Sequence, residues 1–339
     1  MKELLTRLTA AFGPAGREEG IRALLQRELE NLGESGAVVD DLGNLIVSRG
    51  EPADRRILVA AHMDGIGFMI TCIEENGFLR FTPIGGIQVH SLPGTRLRFR
   101  GGITGVIGQE KIKEQKDLEF SRLYIDIGAA SGKEAEQQVQ IGDTAVFNAP
   151  LAAEGDRFIA GALDDRAGCA LLLETLKRLP STLPQAVSFV FTVQEEVGLR
   201  GAQAVSYRIN PQFGLAVDVT RTGDTPEPQF KTPVSLGKGP AIKIKDNSVI
   251  CHPRVTALMR RVAEEKNIPY QIEVLEQGGT DAGAIHLSRT GVPTGALSIP
   301  CRYIHTPGEM VDRTDMENGV SLLLALLQTE WNGSWGRSW

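Results

Sequence analysis

The sequence has few cysteines and no long apolar run, and these two absences exclude several classes of protein. Four cysteines in 339 residues form no CxxC pair, which indicates reduced thiols in a reducing compartment and no disulfide framework or thiolate metal site. The longest apolar stretch, LLLALL at 322–327, is far shorter than the ~20 residues that span a bilayer. The first residues lack the continuous apolar segment of a secretory signal. We therefore expect a cytoplasmic protein without a membrane partner.

Positive charge is also less abundant than negative charge. The chain has 36 Lys and Arg against 42 Asp and Glu, a formal net charge of -6, which argues against a nucleic-acid partner. Apolar residues make up 42% and charged residues 23% of the sequence, as in ordinary globular proteins. Because 339 residues exceed what one hydrophobic core usually supports, we expect two domains.

The order of apolar patterns predicts an α/β protein with a β-rich insertion. Residues 17–32 have helical apolar spacing, and RILVAA at 56–61 is uniformly apolar, as in a central strand covered on both faces. Between residues 67 and 155 the pattern changes to short alternating strands, with Asn76-Gly77 as a strong hairpin signal. This segment is expected to form a small β-barrel or sandwich.

Beyond residue 156 the helix and strand patterns alternate again. The predicted helices are 165–178, 253–266 and 315–331, and the predicted strands are 186–193, 213–219, 241–245, 270–275 and 294–299. We therefore predict an α/β domain of residues 1–66 plus 156–339, with a mixed central sheet covered by helices, interrupted by a β domain of residues 67–155. Trp331, Trp335 and Trp339 follow the last helix and are expected to pack within the chain.

Histidines and carboxylates follow several of the predicted strands. In chain order they are His62 and Asp64 in VAAHMDGIG, Asp164 and Asp165 in GALDDRAG, Glu195 and Glu196 in QEEVGLRG, Asp218 in AVDVT, and His305 in SIPCRYIHTPGEM. Each has an ordinary structural explanation when taken alone, such as a helix N-cap for one of the two adjacent aspartates or a solvated acidic turn for the glutamates. The turn that Gly198 favours would let both glutamates face one site.

Together these residues favour one shared site. Ligands in open α/β sheets gather beyond the carboxyl ends of the strands, and the chain has only five histidines in all. One bridging aspartate, two histidines and two further carboxylates would give each of two metals three protein ligands. Two such metals ~3.5–4 Å apart can activate a water molecule and polarise a substrate. Imidazole and carboxylate ligands suit zinc, cobalt or manganese.

Six motifs, in order along nearly the whole chain, resemble those of the tetrahedral aminopeptidase family, which includes glutamyl aminopeptidases and members labelled as endoglucanases. The motifs are AHMDGIGFM, ALDDRAG, QEEVGLRGA, AVDVT, GGTDAGAI and RYIHTPGEM. The resemblance implies a zinc-peptidase-like fold that removes amino-terminal residues from peptides with two divalent metals, zinc or cobalt, or alternatively manganese. It also implies that the β domain mediates dimerisation and that dimers assemble into a dodecamer.

The resemblance further implies a role for each site residue. One metal would be held by His62, Asp164 and Asp218, and the other by Asp164, Glu196 and His305, with Asp164 as the bridge. Glu195 would be the general base, taking a proton from a metal-bound water and passing it to the leaving amine. Asp64 would support His62 from behind. The family often has Glu where this chain has Gly65, a departure that removes no ligand and bears on substrate preference.

Two alternatives remain open. A related dinuclear amide hydrolase, such as a deacylase or a carboxypeptidase-like enzyme, would use the same ligands, and a non-catalytic assembly protein could retain the fold. A glycosidase needs only a pair of carboxylates and leaves the histidines without a role, so the sequence disfavours it.

Overall fold

The computed structural model describes residues 1–50, 56–228 and 231–331. These residues form one large mixed sheet with helices and a closed β-barrel. The predicted fold class, an α/β protein with an inserted small β-barrel, is confirmed.

The described residues form the following strands and helices, numbered in chain order. The strands are β1 (Val38–Val39), β2 (Leu45–Arg49), β3 (Arg56–His62), β4 (Gly67–Ile73), β5 (Leu79–Ile84), β6 (Arg96–Phe99), β7 (Thr104–Gln109), β8 (Leu123–Asp126), β9 (Thr144–Phe147), β10 (Ala152–Glu154), β11 (Arg157–Ala160), β12 (Ala186–Thr192), β13 (Phe213–Arg221), β14 (Ala241–Lys245), β15 (Gln271–Val274), β16 (Thr294–Arg302) and β17 (Glu309–Asp312). The helices are α1 (Lys2–Ala10), α2 (Glu19–Asn31), α3 (Gly132–Glu136), α4 (Leu163–Arg178), α5 (Arg200–Ile209), α6 (Pro253–Glu265), α7 (Ala282–Ile285) and α8 (Arg313–Gln328).

Four parallel strands form the centre of the large sheet. Its main path runs β1-β2-β12-β3-β13-β16-β17-β11-β10, with β14 pairing with β16 and β15. Strands β12, β3, β13 and β16 run parallel, and nearly all of their residues are buried, as expected for strands covered on both faces. Their carboxyl ends therefore meet at one edge of the sheet.

The barrel closes in the order β4-β5-β8-β7-β6-β9. Its centre includes Phe68, whose ring packs edge-on against Phe81 and Phe147 with centroids 5.3 Å apart in both pairs. The predicted hairpin at Asn76-Gly77 is confirmed, since it joins the antiparallel strands β4 and β5 and Gly77 has φ +90°. The barrel strands end at Phe147, and the predicted limit at residue 155 lies within the β10–β11 hairpin of the large sheet. The two-domain division with those limits stays a prediction.

Some elements were not predicted from the sequence. They are the helices α1, α3, α5 and α7 and the strands β10, β11 and β17. Strands β1 and β2 are separated by a turn, in which the Asp40 carboxylate accepts hydrogen bonds from the backbone N–H groups of Leu42, Gly43 and Asn44. No helix in the described ranges is long and apolar enough to cross a membrane.

Trp331, which follows α8, packs into the hydrophobic core. Its side chain is fully buried, its ring lies 5.3 Å from that of Phe213, and its indole N–H donates to the carbonyl of Leu326 at 2.9 Å. The expectation that this tryptophan packs within the chain is confirmed, whereas Trp335 and Trp339 lie outside the described residues.

Replacing Trp331 with alanine should lower the free energy of unfolding by ~3–5 kcal/mol, because a large buried ring is removed and a cavity is left. The measurement is urea unfolding at one fixed protein concentration. The matched control is Leu287→Ala, at a side chain that is 73% exposed, which should change the same quantity by less than about 0.5 kcal/mol. Equal effects of the two substitutions would contradict this account.

Candidate metal centre

The predicted site residues meet at the carboxyl edge of the central strands. His62 is the last residue of β3, Asp218 lies near the end of β13, and the remaining residues lie in segments that follow β11, β12 and β16. Together they line one cleft of about 300 Å³: His62, Asp164, Glu195, Glu196, Asp218 and His305. The topology thus brings together side chains that are far apart in the sequence.

The Asp164 carboxylate lies between the two histidines. Its Oδ1 is 3.1 Å from Nε2 of His62, and its Oδ2 is 3.2 Å from Nε2 of His305. Asp218 Oδ1 lies 3.7 Å from the same nitrogen of His62, and Glu196 Oε2 lies 3.2 Å from that of His305. Among the described residues this gives two groups of three possible metal ligands, within each of which the ligand atoms lie within 4.8 Å of one another.

These residues fit a pair of divalent cations. Both groups offer one imidazole nitrogen and two carboxylates, a donor set that suits zinc, cobalt or manganese. The Oε1 atom of Glu196 is buried and has no hydrogen-bond partner. Carboxylates this close together repel one another, and a cation between them relieves the repulsion.

The charges of the site perturb its pKa values strongly. Burial raises the pKa of Glu195 well above its usual range, and the nearby carboxylate of Asp218 raises it further. Burial alone would lower the pKa of His305, but the carboxylates of Glu196 and Asp164 outweigh burial and raise that pKa to about 12. Without a metal, the histidines would have to stay protonated to balance the carboxylates. A bound dication takes over that role.

The two adjacent aspartates at the start of α4 have different surroundings. Both have non-helical backbone angles, with ψ of 107° at Asp164 and 44° at Asp165. Asp165 is in neither group of possible ligands, and its Oδ1 accepts a hydrogen bond of 2.8 Å from the backbone N–H of Gly168. Asp165 therefore acts as the helix cap that the sequence suggested for one of the pair, and Asp164 is left to face the cleft.

The two glutamates after β12 lie in a tight turn. The backbone N–H groups of Gly198 and Leu199 both donate to the carbonyl of Glu195 at 2.9 Å, and Gly198 has φ +121°. Because the strand has ended, both glutamate side chains can line the cleft. Glu195 lies in neither group of three, although its Oε2 is 4.0 Å from Nε2 of His62.

Asp64 supports the site through both its backbone and its side chain. Its backbone carbonyl lies 3.2 Å from Nδ1 of His62, closer than its carboxylate at 3.6 Å. A carbonyl oxygen can only accept, so Nδ1 carries the hydrogen, and in the neutral ring Nε2 has the lone pair that could bind a metal. The carboxylate of Asp64 accepts instead from the backbone N–H groups of Glu195 and Glu196, at 3.0 and 3.2 Å. It therefore fixes the glutamate turn.

Two further carboxylates of the site were not identified from the sequence. Glu309 is buried and accepts from the backbone N–H groups of Asp164 and His305 at 3.0 and 2.8 Å. Burial and the charge of Asp164 raise the pKa of Glu309 to about 8. Asp281, within GGTDAGAI, accepts from the Thr192 hydroxyl at 2.5 Å. A signal was present for Glu309, because it lies in the RYIHTPGEM motif four residues after His305.

Gly65 stands where the resemblance leads one to expect glutamate. A Cβ atom there would meet only Ala162 Cβ at 3.7 Å and the carbonyl oxygen of Asp164 at 3.8 Å. The position has room for a side chain, and its glycine helps to line a small pocket beside the buried Arg166.

Comparison with known proteins gives a consistent result. The sequence profile of the M42 glutamyl aminopeptidase family matches residues 43–322. A protein named "Putative aminopeptidase" from Acetivibrio thermocellus is 47% identical over 326 residues, covering 96% of this chain and 97% of that protein. An aminopeptidase structure from Desulfurococcus kamchatkensis has a TM-score of 0.91 at 39% identity, covering 96% of this chain and 94% of that one. The structure of the Pyrococcus horikoshii TET1 peptidase, which can assemble into a tetrahedron or a large octahedral shell, has a TM-score of 0.85 at 38% identity, covering 96% and 98%.

The two adjacent aspartates provide a matched pair of variants. Asp164→Asn should strip the protein of most of its bound metal, because Asp164 belongs to both ligand groups. Asp165→Asn should keep the metal, because asparagine also caps helices well. The measurement is metal content per chain by atomic emission after dialysis against a metal-free buffer. Undiminished metal in Asp164→Asn, or equal loss in both variants, would refute the assignment.

Proposed function

This chain belongs to the M42 glutamyl aminopeptidase family, and from that premise we propose that it releases amino-terminal residues from peptides at a two-metal centre. It is a peptide-bond hydrolase and a metal-dependent aminopeptidase. The observation that carries the proposal is the position of Asp164, whose two oxygens face the two histidine Nε2 atoms. One carboxylate shared in this way is what a bridged pair of metals requires.

In this proposal the chain supplies three ligands to each metal. One metal would be held by His62, Asp164 and Asp218, and the other by Asp164, Glu196 and His305. When bound, such a pair polarises the scissile carbonyl group and makes water a stronger nucleophile. Zinc or cobalt is the expected pair, with manganese as the alternative.

Glu195 is the proposed general base. It lines the cleft beside the ligands but belongs to neither ligand group, so its carboxylate is available for proton transfer. Its backbone is fixed by the hydrogen bond to Asp64. Oε2 of Glu195 would take a proton from the attacking water and deliver it to the nitrogen of the leaving amine.

The barrel and the assembly state form a further part of the proposal. We propose that residues 67–155 form a dimerisation domain, that residues 1–66 plus 156–339 form the catalytic domain, and that cytoplasmic dimers associate into a dodecamer. The support is the likeness to the Pyrococcus horikoshii peptidase, which can assemble into a tetrahedron or a large octahedral shell. The size of the particle in solution tests it.

Replacing Glu195 with glutamine should reduce turnover by ~10²–10⁴ while both metals stay bound, because the variant loses only the proton acceptor. The measurements are turnover with a good peptide substrate and metal content of the same sample. The neighbouring substitution Glu196→Gln serves as control, since it removes a ligand and should lower metal content as well. Unchanged turnover in Glu195→Gln would show that another group is the base.

The nature of the substrate is tested with metal-reconstituted protein and a panel of aminoacyl chromogenic substrates and short peptides. An aminopeptidase should cleave peptides with a free amino terminus and should lose this activity when the same peptides are acetylated there. A deacylase of similar architecture would still cleave the acetylated peptides. Absence of turnover with every free peptide, despite two bound metals, would favour a non-catalytic assembly protein instead.

A further inference from the structure

The two histidines of the metal centre are oriented by different parts of the molecule. Nδ1 of His62 donates to the carbonyl of Asp64, which follows β3 of the large sheet. Nδ1 of His305 lies 2.7 Å from the carbonyl oxygen of Gly86, which follows barrel strand β5. The barrel therefore contacts one ligand group directly.

The contact from Gly86 determines which nitrogen of His305 faces the cleft. A backbone carbonyl only accepts hydrogen bonds, so Nδ1 of His305 must carry the hydrogen. In the neutral ring Nε2 then has the free lone pair, and this is the atom 3.2 Å from both Asp164 and Glu196. Such a partner behind a histidine ligand fixes both its tautomer and its orientation.

His305 depends on such support because its backbone is unusual. Its φ of +67° lies in the left-handed region, which residues other than glycine seldom adopt. Glu309 holds its backbone N–H from one side, and Gly86 holds its ring from the other. The ring is thus held at Nδ1 by Gly86, while its Nε2 faces Asp164 and Glu196.

The residue before Gly86 also borders the same ligand group. A Cβ atom at Gly85 would lie 3.2 Å from Oε2 of Glu196 and 2.7 Å from Cγ2 of Ile66. The same Oε2 atom is the one that faces His305. A side chain at this position would therefore press on the Glu196 carboxylate, and the φ of +81° favours glycine for a second reason.

We infer that the Gly85–Gly86 segment of the barrel positions His305 and Glu196, the two ligands that belong only to the Asp164, Glu196 and His305 group. Gly86 holds the ring of His305, and Gly85 leaves the space that Glu196 needs. The inserted barrel thus helps to position the ligands of one of the two metals. This inference rests on the proposed two-metal function.

The chain offers a matched pair of glycines for the test. Gly94, also in the barrel, has φ +83° and no atom within 4 Å of a Cβ built there. Alanine at Gly94 therefore carries the same backbone strain as alanine at Gly85 without the contact to Glu196. Metal-free wild type, Gly85→Ala and Gly94→Ala are titrated with Zn²⁺ by calorimetry and with Co²⁺ by visible absorption.

We expect Gly85→Ala to weaken one of the two metal affinities by ~10–100-fold, as loss of outer support for a ligand does, and to leave the other unchanged. Gly94→Ala should match the wild type. Equal behaviour of the two variants, or equal weakening of both metals in Gly85→Ala, would overturn the inference. A wild type that binds fewer than two metals would instead overturn the proposed function.

The new Cβ in Gly85→Ala would clash with Ile66, and this clash could unfold the variant. A second comparison is therefore needed. Ile66→Ala removes the crowding Cγ2 atom and keeps the contact between the new Cβ and Glu196. The double variant Ile66→Ala/Gly85→Ala should show the same selective loss of one metal relative to Ile66→Ala alone. Two intact metal affinities in the double variant would overturn the inference as well.

Discussion

The buried negative charge around Asp164 is the constraint on which the rest of the site depends. Asp164, Glu195, Glu196 and Asp218 line one cleft, and removing carboxylates from water costs several kcal/mol each unless positive charge or hydrogen bonds compensate. The two histidines supply part of that compensation. The first residues of α4 leave the helical conformation, and Asp164 contacts both histidines from there.

A second set of carboxylates holds the first set in place. Asp64 accepts two backbone N–H groups of the glutamate turn, and Glu309 accepts those of Asp164 and His305. These carboxylates bind neutral donors, so they fix the loops without occupying the ligand positions. Loops are ordinarily the mobile parts of a protein, and this arrangement gives four of them the rigidity that a metal centre needs.

The site residues that were predicted from the sequence are those that lie beside a recognisable strand or helix pattern. His62 and Asp218 stand at the ends of apolar strands, and Asp164 precedes a periodic helix, so their positions could be inferred from local pattern. Glu309 was missed because one of its two partners, Asp164, lies far away in the chain, and Gly86 because a backbone carbonyl has no side-chain signature. Helix α5 was missed because it follows directly on the glutamate turn and includes Gly201, which weakens a helical pattern.

The strand order also has a consequence for the order of events during synthesis. Strand β3 emerges from the ribosome before the barrel, but its neighbours β12 and β13 both follow the barrel in the sequence. The barrel strands β4 to β9 all precede β12 in the sequence, so the barrel can close first. The central strand that ends in His62 must wait, apolar and unpaired, until the later strands arrive. A chaperone would therefore be most useful to this chain during the interval in which β3 is unpaired.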